Sequence, residues 1–152
     1  MSEPPSSAPA PQTSTRFAEV DEFSIVDLKK RLVWLKKDTY LLTGKWLSWV
    51  QARDYAKELS EGLYGGVNGW RMPTVEEAKS LLDKSLPNKD HMGKAAMVPS
   101  LFPPGFGFLC WTKDVRNKIQ AIRFSFRKGS IMYDDIYRVS RGATRFVREI
   151  EK

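Results

Sequence analysis

Between residues 49 and 82 the apolar side chains recur every three to four positions, whereas from Leu109 onward they recur every second one. A chain whose period switches in this way has to pack amphipathic helices against a sheet. The first helical stretch begins at Ser48, with Gln51 three residues later. In that capping-box spacing each side chain can satisfy the other's backbone donor. Ala52, Tyr55, Ala56 and Leu59 follow on one face and Gly62 supplies a stop, which predicts a helix at about 49–60. A second box at Thr74 and Glu77, with Val75, Ala78, Leu81 and Leu82 as its stripe and Pro87 beyond its end, predicts a helix at about 75–84.

Before the helices, residues 23–35 (FSIVDLKKRLVWL) look like two short strands around a turn at Asp27 to Lys30, with Val33 and Leu35 on one face. After them, Ile122, Phe124 and Phe126 alternate with Arg123, Ser125 and Arg127. One face is therefore expected to be buried and the other basic. Lys128-Gly129 then turns the chain into Ile131 to Tyr137, and a last strand is expected at about 144–150. The resulting expectation is α+β, with two helices packed on a small, largely antiparallel sheet.

The chain has 152 residues, 41% apolar and 28% charged, which suits one globular domain with a real core. Its apolar runs are all shorter than the roughly 18 residues a spanning helix needs. One cysteine, Cys110, cannot form an intramolecular disulfide, so a bridge-stapled secreted domain is excluded and a reducing compartment is expected. Residues 1–16 hold four of the nine prolines and four serines, with no aromatic side chain. They read as a disordered leader to a single domain at 17–152. That leader lacks the basic start and apolar stretch of a secretory signal, so a cytoplasmic location is expected.

Helical and strand periods both vanish over residues 84–108, which carry four prolines and three glycines. Met97, Leu101, Phe102, Phe106 and Phe108 make this segment too apolar to float free. It reads as a long irregular loop region pinned onto the core, a frequent design for a binding surface.

The net charge of +7 is concentrated near the end of the chain. Residues 17–115 carry 14 basic and 13 acidic side chains, while 116–148 carry 9 basic and 2 acidic. Such a concentration can attract polyanions, or it can be the solvated face of a sheet.

The segment Trp70-Arg71-Met72-Pro73-Thr74 with Glu77, preceded by an aromatic-rich stretch at Trp46 to Trp49 and a turn at Gly65-Gly66 to Gly69, resembles the signature of the Lcl C-terminal domain family. Leu32-Val33-Trp34, Trp111-Thr112, Phe126 to Gly129 and Val147-Arg148 are similar to its other landmarks, so the resemblance spans about 22–149. That family is a domain of unknown function named from a bacterial collagen-like adhesin understood to bind sulfated glycosaminoglycans. The resemblance implies a C-type-lectin-like fold whose long loop carries binding. In physical terms Pro73 fixes the entry angle before a capping Thr74. Trp70 is then a core anchor and Arg71 is held by carbonyls or carboxylates.

Sugar-binding lectins of that fold gather oxygens around calcium. The nearest strings here, Leu86-Pro87-Asn88 and Trp111-Thr112-Lys113-Asp114, put a leucine and a lysine where oxygens are wanted, so a calcium-independent module without cofactor is expected. Cys110 reads as a small buried hydrophobe, His91 is a lone histidine, and Glu76-Glu77 and Asp134-Asp135 diverge as sequence neighbours, so an enzyme is not expected.

Binding is the remaining class. The preferred reading is an interaction module that docks a protein partner through the long loop and adjacent strands, with Phe106 as an aromatic contact in the loop. The alternative is a polyanion, either a sulfated glycan or nucleic acid, gripped by Lys89, Lys94, Lys113, Arg123, Arg127, Lys128, Arg138 and Arg141, with Trp111, Tyr133 and Tyr137 stacking on a sugar ring. Nucleic acid ranks lower, because Phe124 and Phe126 are expected on the face opposite Arg123 and Arg127, so rings and charges do not share a surface.

Overall fold

The computed structural model describes residues 16–83 and 88–150. The leader up to residue 15, and residues 84–87 of the long loop, lie outside the described residues. Arg16 is tied to the body: its guanidinium grips Asp27 through Nε at 3.0 Å and Nη2 at 2.7 Å.

The fold is α+β, and among the described residues pairing is antiparallel throughout three sheets. Strands β1 (Phe17–Glu19), β2 (Ser24–Asp27) and β3 (Leu32–Leu35) form a meander, and β9 (Val147–Glu149) returns to pair with β3. Strands β6 (Leu109–Arg116), β7 (Gln120–Ser125) and β8 (Ile131–Asp135) form the second sheet, and β4 (Asn88–Lys89) with β5 (Ala95–Ala96) make a short hairpin inside the long loop. The single small sheet expected from sequence is thus divided. The last strand is also shorter than expected, because Ala143 to Phe146 are buried without joining a strand.

Among the described residues three α-helices are present rather than two. Helix α1 (Thr39–Thr43) is capped by the Asp38 carboxylate on Leu41 N and closed by Gly44 in the left-handed region. Five residues are too few to print a stripe in the sequence. Helix α2 (Trp49–Glu61) and helix α3 (Val75–Ser80) both carry the complete capping boxes that Ser48–Gln51 and Thr74–Glu77 predict. Helix α3 ends sooner than expected, with Leu81 as its cap. No helix among the described residues is long and apolar enough to cross a membrane.

Strand β3 separates two cores. Leu32 and Trp34 join Phe102, Phe106, Cys110, Phe124 and Phe126 on one side, while Val33 and Leu35 join Trp70, Trp111 and Phe146 on the other. The signature segment is structural, as its residue types suggest. Trp70 is buried with Nε1 donating to Tyr64 O at 3.0 Å, and the Arg71 fork meets both Glu77 oxygens at 2.8 and 2.9 Å.

The alternation drawn for β7 is corrected. Arg123 and Ser125 are as buried as Phe124 and Phe126, so β7 has no basic solvent face. A central strand with neighbours on both sides is covered on both faces here, and period-two patterning identifies a strand without deciding whether its second face meets water.

Candidate functional site

Four rings and two guanidinium groups from distant segments share one half-buried surface. Helix α1 and the turn after it bring Tyr40 and Trp46 face to face, with centroids 4.0 Å apart. His91 sets its edge against Trp46 at 4.8 Å and stacks parallel to Phe108 at 5.9 Å. Just beyond β7, Arg127 lies 3.8 Å from the Phe108 centroid, and Arg141 approaches the same ring at 5.9 Å. Cations over ring faces are held by the ring quadrupole, so the arginines extend the aromatic surface.

Asp90 organises this surface. Its carboxylate accepts Arg127 Nε at 2.6 Å, Met92 N at 2.9 Å and Lys94 N at 3.1 Å. Burial pushes the carboxyl up, and the Arg127 and backbone donors outweigh it, leaving Asp90 below its ordinary value. His91 is lowered as well, here by burial itself: burial, with Arg127 and Arg141 nearby, lowers its pKa against the pull of Asp90. The imidazole is therefore held neutral, as a flat packing surface more than as a charge.

Arg141 also opens onto an adjoining groove of about 410 Å³, lined with Leu109, Arg123, Met132, Tyr133, Asp134, Arg138 and Ser140. Arg123 forms its floor, fully buried, with Nη1 on Asp134 at 2.9 Å and Nη2 on the carbonyls of Ser140 and Arg141 at 3.1 and 2.7 Å. Burial pulls the Arg123 guanidinium below its usual value, against the Asp134 carboxylate.

Of the residues expected at the site, Arg127, Tyr133, Arg138 and Arg141 are brought to this surface. Tyr137 and Lys128 are exposed at the two ends of β8, and Lys89 and Lys94 are exposed around the β4–β5 hairpin. Lys113 is exposed beside Glu77. Three expectations are corrected. Phe106 and Trp111 have no accessible surface, and Arg123 is 2% exposed, so none of them can meet a partner directly. Phe106 packs under the Arg145 guanidinium, and Trp111 spends its Nε1 on Leu47 O at 3.0 Å.

Tyr40, Trp46 and His91 were not expected at the site. Their positions share no spacing with Phe108 or Arg127, so only the tertiary fold joins them. Cys110 stands apart, buried, with Sγ 3.6 Å from Thr144 Oγ1 and its thiol pKa pushed up by burial.

A family model described as the Lcl C-terminal domain matches residues 24–148. No curated protein and no solved structure matches the chain.

Proposed function

The chain belongs to the Lcl C-terminal domain family, and on that footing we propose that it is a non-catalytic module that docks a protein partner through the Tyr40–Trp46–His91–Phe108 surface and the adjoining arginine groove. The observation that carries this reading is the gathering of Trp, Tyr and Arg on one surface, the side chains that dominate interface energetics. The fold is read as C-type-lectin-like, supported by family membership, by the order of strands, helices, long loop and strands, and by the loop's place at the surface.

Two observations favour a protein over a polyanion. Arg123, Arg127 and Arg138, three of the nine basic side chains at 116–148, are held by Asp134 and Asp90 within the fold. Arg145 is buried among Phe102, Phe106 and the carbonyls of Leu35 and Lys36. A calcium-independent mode is supported by how nearby oxygens are used. Asp114 accepts Val75 N at 2.9 Å, and the Asn88 amide donates to the carbonyls of Pro99 and Phe102 while its oxygen accepts Lys89 N. The buried thiol of Cys110 fits a protein of a reducing, cytoplasmic compartment.

The test is a pull-down from native lysate with the tagged protein, its Trp46→Ala variant and its Arg141→Glu variant, washed at low and high salt. One stoichiometric protein that survives high salt with the wild type and is lost with both variants is the expected result. Recovery of nucleic acid or acidic polymer alone, released by salt, would replace this reading with polyanion binding.

A further inference from the structure

The two outer edges of the β6–β7–β8 sheet are treated differently. Along β6 the outward amides are taken up: Trp111 N donates to Ala143 O and Lys113 N to Pro73 O, both at 2.8 Å. Strand β8 has no such cover among the described residues. Ser125 N donates to Ser130 O at 2.8 Å, and the register pairs Phe124 with Ile131, Arg123 with Met132 and Ile122 with Tyr133. Hydrogen-bonded and non-hydrogen-bonded pairs alternate in an antiparallel ladder. Met132 and Asp134 therefore bond inward to β7, while Ile131 and Tyr133 direct N–H and C=O outward. The next outward amide, Asp135 N, is closed by Asp134 Oδ1 at 2.9 Å, so the open edge is Ile131 to Tyr133.

That short edge lacks the devices that keep edges from pairing. It carries no proline, lysine or bulge, and its side chains are apolar and 45%, 43% and 41% exposed in chain order. Seven of the twelve exposed large hydrophobics among the described residues fall between Val115 and Val139, around this hairpin. The concentration marks a contact surface rather than scattered exposure.

We infer that this edge pairs with the same edge of a second copy, antiparallel, about a two-fold axis at Met132. In that register Ile131 lies opposite the second copy's Tyr133 and Met132 opposite its own mate. The four outward N–H and C=O groups on each side are then all satisfied. Apolar meets apolar at each of the three positions, and Ser130 falls opposite Asp134, whose charge Arg123 and Arg138 already balance. A shift of the axis to Tyr133 would set Ile131 against Asp135 and Met132 against Asp134, burying apolar side chains against carboxylates. The pairing makes one six-stranded sheet with both arginine grooves on the same face, so a partner with two matching sites would gain by avidity.

Cysteine scanning in the full chain tests the register. Met132→Cys is expected to form an intermolecular disulfide under mild oxidation. Ile131→Cys is expected not to, because residues 131 of the two copies would be a diagonal step apart, beyond the roughly 7 Å limit for bridging Cα atoms. Sedimentation across a concentration series should show a reversible dimer, with Ile131→Lys raising its dissociation constant about tenfold while leaving unchanged the melting temperature measured at concentrations where both proteins are monomeric. A monomer at every concentration, equal cross-linking of both cysteine variants, or a dimer that Met132→Cys cannot trap would each overturn the pairing. Protection of the β8 amides only on addition of a different protein would assign the edge to that protein's strand and overturn it too. Trp46→Ala should leave the dimer intact, so loss of the proposed docking and loss of self-pairing are read separately.

Discussion

The Arg123 guanidinium lies 4.2 Å from the centroid of the Trp111 ring, directly across the β6–β7 pair, and both side chains are buried. The charge is tolerated there because Asp134 and two backbone carbonyls meet it and the indole covers its face. Arg123→Glu should therefore destabilise the fold by about 3–5 kcal/mol, the usual cost of breaking a buried pair. Urea unfolding measures this, and a loss below about 1 kcal/mol would contradict the buried role.

Glu77 closes the α3 capping box on Thr74 N at 2.9 Å and accepts the Arg71 fork. Burial raises its carboxyl, but the Arg71 and Thr74 donors prevail and leave it below the ordinary 4.5. A carboxylate lowered on folding stabilises above its unfolded value and loses that contribution as pH falls through the folded one. Melting temperature should thus drop as pH falls below about 4.5, and Glu77→Gln should flatten part of that slope. Gln can keep the capping hydrogen bond while losing the ion pair. An unaltered slope would remove Glu77 from acid denaturation.

His91 acts in the same direction at higher pH. Burial and two nearby arginines lower its pKa from 6.5, so the unfolded chain takes up a proton more readily than the folded one. Its stabilising contribution is present above about 6.5 and lost as pH falls below it. NMR titration should place the His91 midpoint below 6.5. His91→Phe, which keeps a ring against Phe108 and Trp46, should remove the stability loss that sets in as pH falls below 6.5. A midpoint at or above 6.5 would show an imidazole in contact with water.

Gly142 has no room for a side chain, since a Cβ there would stand 1.8 Å from Leu47 O. The same carbonyl accepts Trp111 Nε1, and Leu47 N donates to Gly142 O at 2.7 Å. Because the obstacle is backbone, Gly142→Ala should cost about 3 kcal/mol or more, at the upper end of overpacking. Thermal unfolding of that variant checks it, and a normal melting temperature would mean that this crossing can open without loss.

Cys110 is 2% exposed, and burial pushes its thiol above the ordinary range. Aromatic disulfide reagents should leave the native protein unmodified and react with one thiol per chain after denaturation. Rapid native labelling would expose this part of the core as open.

Local chemistry was legible wherever its partners lie a few residues apart. The capping boxes at Ser48–Gln51 and Thr74–Glu77, the turn between β2 and β3, and the structural role of Trp70 and Arg71 all rest on contacts within a single segment or one turn. Helix α1 was missed because its caps enclose only five residues.

The amino-acid sequence by itself determined the α+β class, the places where α2 and α3 begin, and the family. Only the tertiary structure decided which cations are free and which rings are exposed. Arg123 and Arg127 occupy equivalent positions in an alternating pattern, yet one is the buried floor of a groove and the other lies across Phe108 at the surface. Phe106 and Phe108 are two residues apart, and only the second reaches the aromatic face. The reason is that periodicity encodes which side of its own strand a residue takes, while burial depends on what the rest of the chain lays over that side. Asp134, Trp111 and the carbonyls of Ser140 and Arg141 reach Arg123 only after folding.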